Sequence, residues 1–287
     1  MKKSIFICAF VQLSLFINAQ RIHVGVFGGA AAYNGDLTSA IFPKKVTNGA
    51  VGITASYEVT EKVLVRLGGT YAIVGGADRF NKDTGIQARN LAFETVIVEG
   101  SLLGEYYLFN LYERKISPYF FAGLAFLKYD PYAYQGSQKV YLKPLSTEGQ
   151  GITGYPDRKP YSLTQFAVPF GGGIKYALTE NIRIGLEGGI RKLFTDYLDD
   201  VSTNYIDEND LLAAKGQLAV DMSYRGDEAG GSSAYPSKGA QRGSPKADDY
   251  YYFAGVHLSI GLGSSAGDNG YGRGMKGKGK TGCPTVY

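Results

Sequence analysis

Apolar and polar residues alternate with a period of two along eight segments of the chain. In the second segment Val51, Ile53 and Tyr57 share one face, and in the last segment Val256 and Ile260 do. Successive side chains of a β-strand point to opposite sides, so this period predicts strands that each present one apolar face. We place the eight strands at about residues 21–34, 47–59, 63–75, 89–109, 116–130, 161–178, 181–197 and 249–263.

The connections between these strands alternate between short and long. The short ones are 60–62, 111–115 and 179–181, and the long ones are roughly 35–46, 76–88, 131–160 and 198–248. Strands that run up and down through a bilayer have this alternation, with short periplasmic turns and longer outer loops. We therefore predict an all-β fold, an eight-stranded antiparallel up-and-down transmembrane β-barrel with long outer loops and both termini in the periplasm. A soluble β-sandwich is the alternative, but it does not require long and short loops to alternate.

The N-terminal residues have the pattern of a secretory signal. Lys2 and Lys3 precede an apolar run that ends near Ile17, and the small residue Ala19 follows. A basic start, a short apolar run and a small residue at the cleavage point are the features of a signal peptide. We therefore divide the chain into a signal peptide at 1–19, an outer-membrane β-barrel at 20–263 and a periplasmic basic tail at 264–287.

Composition agrees with strands and excludes some functions. The chain has 40 Gly and 23 Tyr with no Trp, and Gly and Tyr at this level suit a twisted barrel with aromatic girdles at both ends. We expect the girdle tyrosines at the periplasmic ends to be Tyr57, Tyr106, Tyr107 and Tyr176, and those at the outer ends to be Tyr33, Tyr129, Tyr161, Tyr197 and Tyr250 to Tyr252. Removing Lys2 and Lys3 lowers the formal net charge from +4 to +2, which does not indicate a nucleic-acid partner.

Charged residues occupy the opposite faces of the strands. Parity places four acids and four bases inside the barrel: Glu58, Arg66, Glu99, Glu105, Lys175, Arg183, Glu187 and Arg191. Eight strands enclose a space just wide enough for side chains, and an unpaired buried charge is very costly. We therefore predict a lumen charge network that pairs its ions and fills the barrel, so that little passes through it.

Catalysis is the next possibility that the residues raise. His23 and His257 both have inward parity, and Ser259 shares a face with His257. A lipid-modifying hydrolase needs a serine nucleophile beside a base at the lipid-facing edge, whereas these residues point into the lumen. We interpret them as interior structural residues and predict no enzymatic activity, no cofactor and no metal.

Two loop features and the tail complete the pattern. The acidic stretch from Asp196 to Asp210 offers clustered oxygens to a calcium ion, but its spacing matches no EF-hand loop, so we favour a solvated acidic loop and leave calcium as the alternative. Residues 228–247 are low in complexity. The tail is rich in Gly and Lys and carries the single thiol that remains after signal removal, Cys283, which is available for an intermolecular disulfide. A partner-docking tail and a disordered tail both remain open.

Several stretches resemble the PorG family of the Bacteroidota type IX secretion system. The stretches are 25–29 (GVFGG), 33–37 (YNGDL), 89–93 (RNLAF), 99–106 (EGSLLGEY), 144–151 (PLSTEGQG), 161–166 (YSLTQF), 191–202 (RKLFTDYLDDVS) and the Lys-rich tail ending Cys283-Pro284. They occur in the same order from the first strand to the C-terminus. One departure is Ser146, which stands where the family leads us to expect Gly.

This resemblance implies a non-enzymatic outer-membrane subunit of a protein secretion and gliding machine. Such a subunit would contact the periplasmic ring of the lipoprotein PorK and of PorN, besides outer-membrane lipid. The partner-binding residues that we assign on the tail are Arg273, Lys276, Lys278, Lys280, Cys283, Pro284 and Tyr287. Two alternatives stay open, a surface-exposed binding barrel that works through its loops and a lipid-modifying enzyme.

Overall fold

A computed structural model describes residues 22–38, 43, 45–230, 234–245 and 248–262. Ten strands form one sheet. They are β1 (Ile22–Asn34), β2 (Asn48–Glu58), β3 (Val63–Ala77), β4 (Ala92–Tyr107), β5 (Ile116–Lys128), β6 (Pro131–Gln135), β7 (Gln138–Tyr141), β8 (Thr164–Ala177), β9 (Ile182–Leu193) and β10 (Tyr250–Gly261). The predicted signal peptide and tail lie outside the described residues.

Eight of these strands close into a barrel. Each pairs antiparallel with its neighbours in the order β3, β2, β1, β10, β9, β8, β5 and β4, and the β3–β4 pairing closes the ring. Register between the first and last strands runs from His23 opposite Gly261 to Asn34 opposite Tyr250. This confirms the predicted eight-stranded antiparallel barrel. The short hairpin of β6 and β7 joins the end of β4 through Glu94 opposite Tyr132.

We call the two ends of the barrel the turn end and the loop end. The turn end carries the three short connections, at 59–62, 108–115 and 178–181, as the sequence predicts. The loop end carries the four long connections. Their described residues form a folded cover that we call the loop cap, residues 35–47, 78–91, 129–163 and 194–249 within the described ranges.

The outward faces are apolar, as the alternation predicts. Ile53 on β2 is 70% exposed and Leu186 on β9 is 66% exposed, while their sequence neighbours of opposite parity face inward. The same outward parity holds for Leu67 on β3 and Leu258 on β10. The barrel therefore exposes its aliphatic side chains and buries its charged ones.

The tyrosine prediction is only half correct. At the turn end Tyr57, Tyr106 and Tyr176 are exposed on the outer wall, but Tyr107 is buried and stacks on Tyr119 at 5.2 Å. At the loop end the predicted girdle is wrong for Tyr33, Tyr129, Tyr161, Tyr251 and Tyr252, which are buried. Most of these have inward parity or lie in loops, and their hydroxyls find partners inside, such as Asp200 for Tyr161 at 2.7 Å.

Helices occur in the loop cap. They are α1 (Thr84–Gln87), α2 (Glu208–Lys215) and α3 (Gln217–Ser223). Asp207 caps α2 by accepting hydrogen bonds from the backbone of Asn209 and Asp210, and Gly216 with φ 84° separates α2 from α3. In the described part of the chain, no helix has the length and apolar character needed to cross a membrane.

Candidate functional site

The described residues contain two places where charged side chains gather out of water, the barrel lumen and the loop cap. The predicted partner-binding residues Arg273, Lys276, Lys278, Lys280, Cys283, Pro284 and Tyr287 lie outside the described residues. The last strand, β10, ends at the turn end, where the backbone N–H of Gly261 donates to Asn181 O at 2.7 Å. The last described residue, Leu262, therefore lies at the turn end, beside the short turns.

The lumen brings the predicted charged residues together in ion pairs. Arg66 on β3 lies at the centre of the largest group, with Nη1 2.7 Å and Nη2 3.0 Å from the two oxygens of Glu187. Its Nε lies 2.8 Å from Glu105 Oε1, and Lys175 Nζ lies 3.1 Å from the other Glu105 oxygen. Two acids and two bases on four strands thus neutralise one another, and the fork of Arg66 fixes their geometry.

A second group lies nearer the turn end around Glu58. Arg183 Nη1 is 2.6 Å and His23 Nε2 is 3.0 Å from Glu58 Oε1, and the Tyr112 hydroxyl donates to Oε2 at 2.7 Å. Tyr112 belongs to the connection between β4 and β5, so this group ties a short turn to the barrel interior. The carboxylate of Glu58 thereby has charged or polar partners on both oxygens.

The third pair is looser and lies toward the loop end. Arg191 Nε is 3.5 Å from Glu99 Oε2, and the guanidinium of Arg191 lies 4.2 Å from the ring centroid of Phe253. The Tyr251 hydroxyl donates to the same Glu99 oxygen at 2.6 Å. With this pair, each of the eight predicted lumen residues has an oppositely charged neighbour within 3.5 Å.

The two histidines and Ser259 also face the interior. His257 is fully buried, and its Nε2 lies 2.9 Å from Thr54 Oγ1 on β2. Ser259 is buried on the same face of β10. These positions are on the inner side of the wall, away from the exposed apolar side chains where a lipid substrate would lie.

The loop cap contains a second charged site that the sequence did not reveal, centred on Glu148. Its carboxylate is fully buried and accepts hydrogen bonds from the backbone N–H groups of Ser202 at 2.9 Å and Thr203 at 3.0 Å. The hydroxyls of Thr203 and Tyr197 donate to it at 2.7 and 3.2 Å. One acid from the β7–β8 connection thus holds the β9–β10 connection in place.

Two neighbours of Glu148 have left-handed backbone conformations. Gly149 has φ 84°, and a Cβ there would lie 2.8 Å from a side-chain carbon of Ile206. Ser146 has φ 51°, a region that favours glycine, at the position where the resemblance led us to expect Gly. The local backbone is therefore bent tightly to present Glu148 inward.

Arg242 completes this site and links it to Asp200. Arg242 Nη1 donates to Glu148 Oε1 at 3.0 Å and to the carbonyl of Asp200 at 2.6 Å. Asp200 accepts from the hydroxyls of Thr147 at 2.5 Å and Tyr161 at 2.7 Å. Arg242 is buried, and its pKa is raised by Glu148 and Asp200 against the effect of burial. Arg242 therefore connects two loops of the cap that are far apart in the sequence.

Arg89 connects this site to the other two long connections. Arg89 forms a two-pronged ion pair with Asp78 at 2.8 and 3.0 Å, donates to the carbonyl of Arg242 and reaches the carbonyl of Asp36 at 3.3 Å. Asp36 in turn accepts from the backbone N–H of Ser244 at 2.9 Å. All four long connections therefore meet at one polar centre.

Burial raises the pKa values of several aspartates in this centre, where acids outnumber bases. Burial raises the pKa of Asp196 to about 9, with a further contribution from Asp36, and burial raises that of Asp200 to about 6. The pKa values of Asp199 and Asp249 rise well above their usual range, because burial and a neighbouring acid (Asp36 and Asp199, respectively) oppose ionisation.

This burial corrects the expectation of a solvated acidic loop over 196–210 for its first part, since Asp199 and Asp200 are buried within the loop cap, whereas Glu208 and Asp210 are exposed. The low-complexity stretch 228–247 likewise supplies Arg242 to the centre. Within the described ranges, no group of three or more His, Cys, Asp or Glu side chains has an arrangement that could hold a metal ion.

The sequence gives uneven signals for these residues. Strand parity identifies the lumen charges, whereas Glu148 and Arg242 lie in irregular loops, 94 residues apart, where no period operates. The one available signal was indirect, because Glu148 and Asp200 both fall within stretches that resemble the PorG family. Nothing comparable marks Arg242.

Comparison with known proteins gives a family and several similar folds. Residues 2–216 match a family model described as a domain of unknown function, DUF6089. Comparison with curated proteins finds no match. Among solved structures, the chain is similar to Neisserial surface protein A, with 11% identity over 84% of this chain and 96% of that one and a TM-score of 0.40.

Two other solved structures are similar at the same level. The attachment invasion locus protein Ail of Yersinia pestis is 8% identical over 84% of this chain and 99% of that one, with a TM-score of 0.36. The outer membrane protein OprG of Pseudomonas aeruginosa is 11% identical over 84% of this chain and 97% of that one, with a TM-score of 0.38.

Proposed function

The chain belongs to the DUF6089 family, and we propose that it is a non-enzymatic outer-membrane β-barrel protein that anchors a periplasmic partner. The observation that carries the membrane assignment is the inverted character of the barrel. Large aliphatic side chains such as Ile53 and Leu186 are exposed around the wall, and the ion pairs of Arg66 and Arg183 are inside. A soluble protein rarely exposes so continuous an apolar surface, whereas a barrel in lipid requires one.

The orientation follows from the two unlike ends. Outer-membrane barrels have short periplasmic turns and longer extracellular loops, so the turn end belongs in the periplasm and the loop cap outside. The tail leaves β10 beside the turn between β8 and β9, where Gly261 contacts Asn181. In this orientation the tail and both termini are periplasmic.

The partner follows from the resemblance to the PorG family and the composition of the tail. The lumen is occupied by paired side chains, so a role in passage through the barrel has little support, and the periplasmic side becomes the place of function. We propose that the basic tail with Cys283 docks on the ring of PorK and PorN in a type IX secretion and gliding machine. The barrel then serves as its outer-membrane anchor.

Deleting residues 268–287 tests this role in the native cell. The shortened barrel is expected to remain in the outer-membrane fraction, because the deletion begins after β10, but to lose co-purification with the ring proteins and to stop export. A matched variant replaces Arg273, Lys276, Lys278 and Lys280 by Gln at full length and should show the same loss if charge drives docking. Undiminished co-purification and export by the deleted chain would overturn the proposal.

Cys283 provides a separate test of the contact. If its thiol forms a disulfide with a ring protein, a non-reducing gel shows a heavier species that reduction or the variant Cys283→Ser removes. The absence of that species in the intact complex would contradict the disulfide while leaving non-covalent docking to the deletion experiment.

A second candidate function is a surface-binding barrel, favoured by the folded loop cap. The cap has its own apolar core around Ile152, Ile206 and Leu211, which a set of simple connections would not need. Shortening the β6–β7 hairpin should then abolish surface binding while secretion continues.

A lipid-modifying enzyme is the third candidate function. Unchanged lipid profiles in the variants His257→Ala and Ser259→Ala would exclude it.

A further inference from the structure

A cavity of 240 Å³ opens at the loop end where β3 and β4 meet the loop cap. Gly75 and Glu94, which lie opposite each other in the β3–β4 register, form part of its floor. Both have the outward parity of Tyr71 and Val98, an exposed pair four residues nearer the turn end. At roughly 3.3 Å per residue, the cavity therefore lies about 13 Å along the strands from that pair, at the upper border of the apolar wall.

Three cations line this cavity, and each comes from a different long connection. They are Lys45, Arg79 and Arg225. The two acids in the lining already have partners. Glu94 accepts from the Tyr132 hydroxyl at 2.9 Å, and Glu228 accepts from Arg225 at 2.8 and 3.1 Å.

Lys45 and Arg79 differ from Arg225, which pairs with Glu228. Neither forms an ion pair with a carboxylate among the residues that the structure describes. Both lie over the same ring, that of Phe80, at 4.9 and 4.8 Å from its centroid. A cation over an aromatic face is held in place without losing its charge, so Phe80 positions two positive groups at one side of the cavity.

Two aromatic side chains also line the cavity. Tyr134 lines the cavity and is exposed, and Tyr132 lies beside it with ring centroids 5.8 Å apart. Arginine matches the oxygens of a phosphate with two parallel hydrogen bonds, and amphipathic tyrosine rings are favoured at the level of lipid head groups. A volume of 240 Å³ is below that of a typical whole-ligand pocket, so it fits one group of a larger molecule.

We propose that this cavity binds the phosphorylated sugar head group of a glycolipid in the surrounding membrane leaflet. The acyl chains of that lipid would lie along the apolar wall below, beside Tyr71 and Val98, while its phosphate meets Lys45 and Arg79. The proposal rests on the membrane position proposed above, and it adds a ligand class and a site that do not involve the tail.

The test uses the full chain purified in detergent and titrated with three probes, followed by native mass spectrometry. The probes are lipid A with two phosphates, the same lipid with its phosphates removed, and inorganic phosphate. The variant Lys45→Ala/Arg79→Ala removes both unpaired cations. The control Lys62→Ala/Lys159→Ala removes two exposed lysines elsewhere, one from a short turn and one from the loop cap.

The expected result is that the cavity variant binds phosphorylated lipid A roughly tenfold more weakly than the wild type, whereas the control binds as the wild type does. The lipid without phosphates should bind wild type and cavity variant equally weakly. Equal binding of phosphorylated lipid by the cavity variant and the control would overturn the proposal. Inorganic phosphate that binds the wild type as tightly as the lipid would overturn the assignment to a head group.

Two further measurements test whether the barrel has formed and whether it lies in the membrane, independently of lipid binding. The shift in gel mobility on heating shows whether each variant forms the barrel, and a charge-reversed variant, Lys45→Glu/Arg79→Glu, should weaken binding further in a folded barrel. Membrane fractionation tests the membrane position on its own. Loss of ring contact on deleting residues 268–287 leaves both cations in place, so failure of the secretion role and failure of the lipid site give different results.

Discussion

The barrel lumen and the loop cap both bury charge, but they stabilise it in different ways. In the lumen, four acids face four bases, and each has an ionic neighbour from another strand. In the described part of the loop cap, five carboxylates are buried with one fully buried cation, Arg242. These carboxylates belong to Asp78, Glu148, Asp199, Asp200 and Asp249.

In the loop cap, backbone N–H groups stabilise the buried carboxylates in place of cations, and raised pKa values favour the neutral forms of some of them. Ser202 and Thr203 donate to Glu148, Val201 donates to Asp199 at 2.8 Å, and Leu198 donates to Asp249 at 2.9 Å. Burial and neighbouring acids raise the pKa values of Asp199 and Asp249, which favours their protonated forms when the cap is closed. The regular strands of the barrel wall place opposite charges side by side. The irregular loop cap has few such pairs, so its stability depends on single residues such as Arg242 and on pH.

The largest effect is expected from Arg66→Met in the lumen. Glu187 would lose its ionic partner in a site without solvent, so the barrel should lose about 3–5 kcal/mol of stability. Thermal unfolding followed by circular dichroism and by gel mobility measures this loss across the whole barrel.

The double variant Arg66→Met/Glu187→Leu is its matched control. It removes both charges, and Lys175 remains for Glu105, so much of the lost stability should return. A double variant that is less stable than Arg66→Met alone would contradict the idea that the lumen is stabilised by charge balance.

A smaller and local effect is expected from Arg242→Met. Glu148 and Asp200 would lose their cation, but Glu148 keeps the backbone donors of Ser202 and Thr203, so we expect a loss of about 3 kcal/mol confined to the loop cap. Limited proteolysis should cut within 194–249 sooner, while the heat-dependent gel mobility of the barrel is unchanged.

An exposed ion pair gives the control for this variant. Lys192 Nζ lies 3.9 Å from Asp248, and both side chains are 42% exposed. Exposed pairs contribute about 1 kcal/mol or less, so Lys192→Ala should leave the proteolysis rate close to that of the wild type. Unfolding of the barrel itself by Arg242→Met would show that cap and lumen are one cooperative unit.

The smallest effect is expected from pH, and only in the loop cap. Asp196 has a pKa of about 9 when the cap is closed and ionises near pH 4 when it is open, so the closed cap binds the extra proton between these values. Stability from this group is therefore fully present below about pH 4 and falls as pH rises toward 9. Because Asp196 is partly exposed, solvent screens its charge, and we expect a total loss of only about 1 kcal/mol.

Hydrogen exchange corrected for intrinsic rates measures this change between pH 5.5 and 9. Loop-cap amides should lose protection relative to barrel amides, and the variant Asp196→Asn should flatten part of the pH dependence. Protection that stays constant over this range would show that these acids are ionised in the closed cap.

The sequence predicts the barrel lumen better than the loop cap, because strands have a regular period and loops do not. Parity alone places Arg66 and Glu187 inside, because each strand residue has two possible sides and a regular neighbour. The tyrosine girdle at the loop end shows the limit of that argument, since Tyr33 and Tyr251 were expected at a lipid boundary but face inward.

Strand parity does not apply to the loop cap, so burial of its residues cannot be predicted in this way. Asp200 looks like a solvated acid in a run of acids, and its burial becomes evident only when Thr147, Tyr161 and Arg242 reach it from distant positions. Contacts of that kind depend on the path of long loops, which local patterns do not encode.

The pairing of β1 with β10 has a consequence for how the chain reaches its final state. His23 meets Gly261, so the ring closes only when the last strand of the chain becomes available. Until then β1 and β9 both have unpaired edges that invite association with other chains. For the membrane barrel proposed above, closure of the ring therefore waits for the whole chain, and we expect insertion to be a late, nearly all-or-none event rather than a strand-by-strand one.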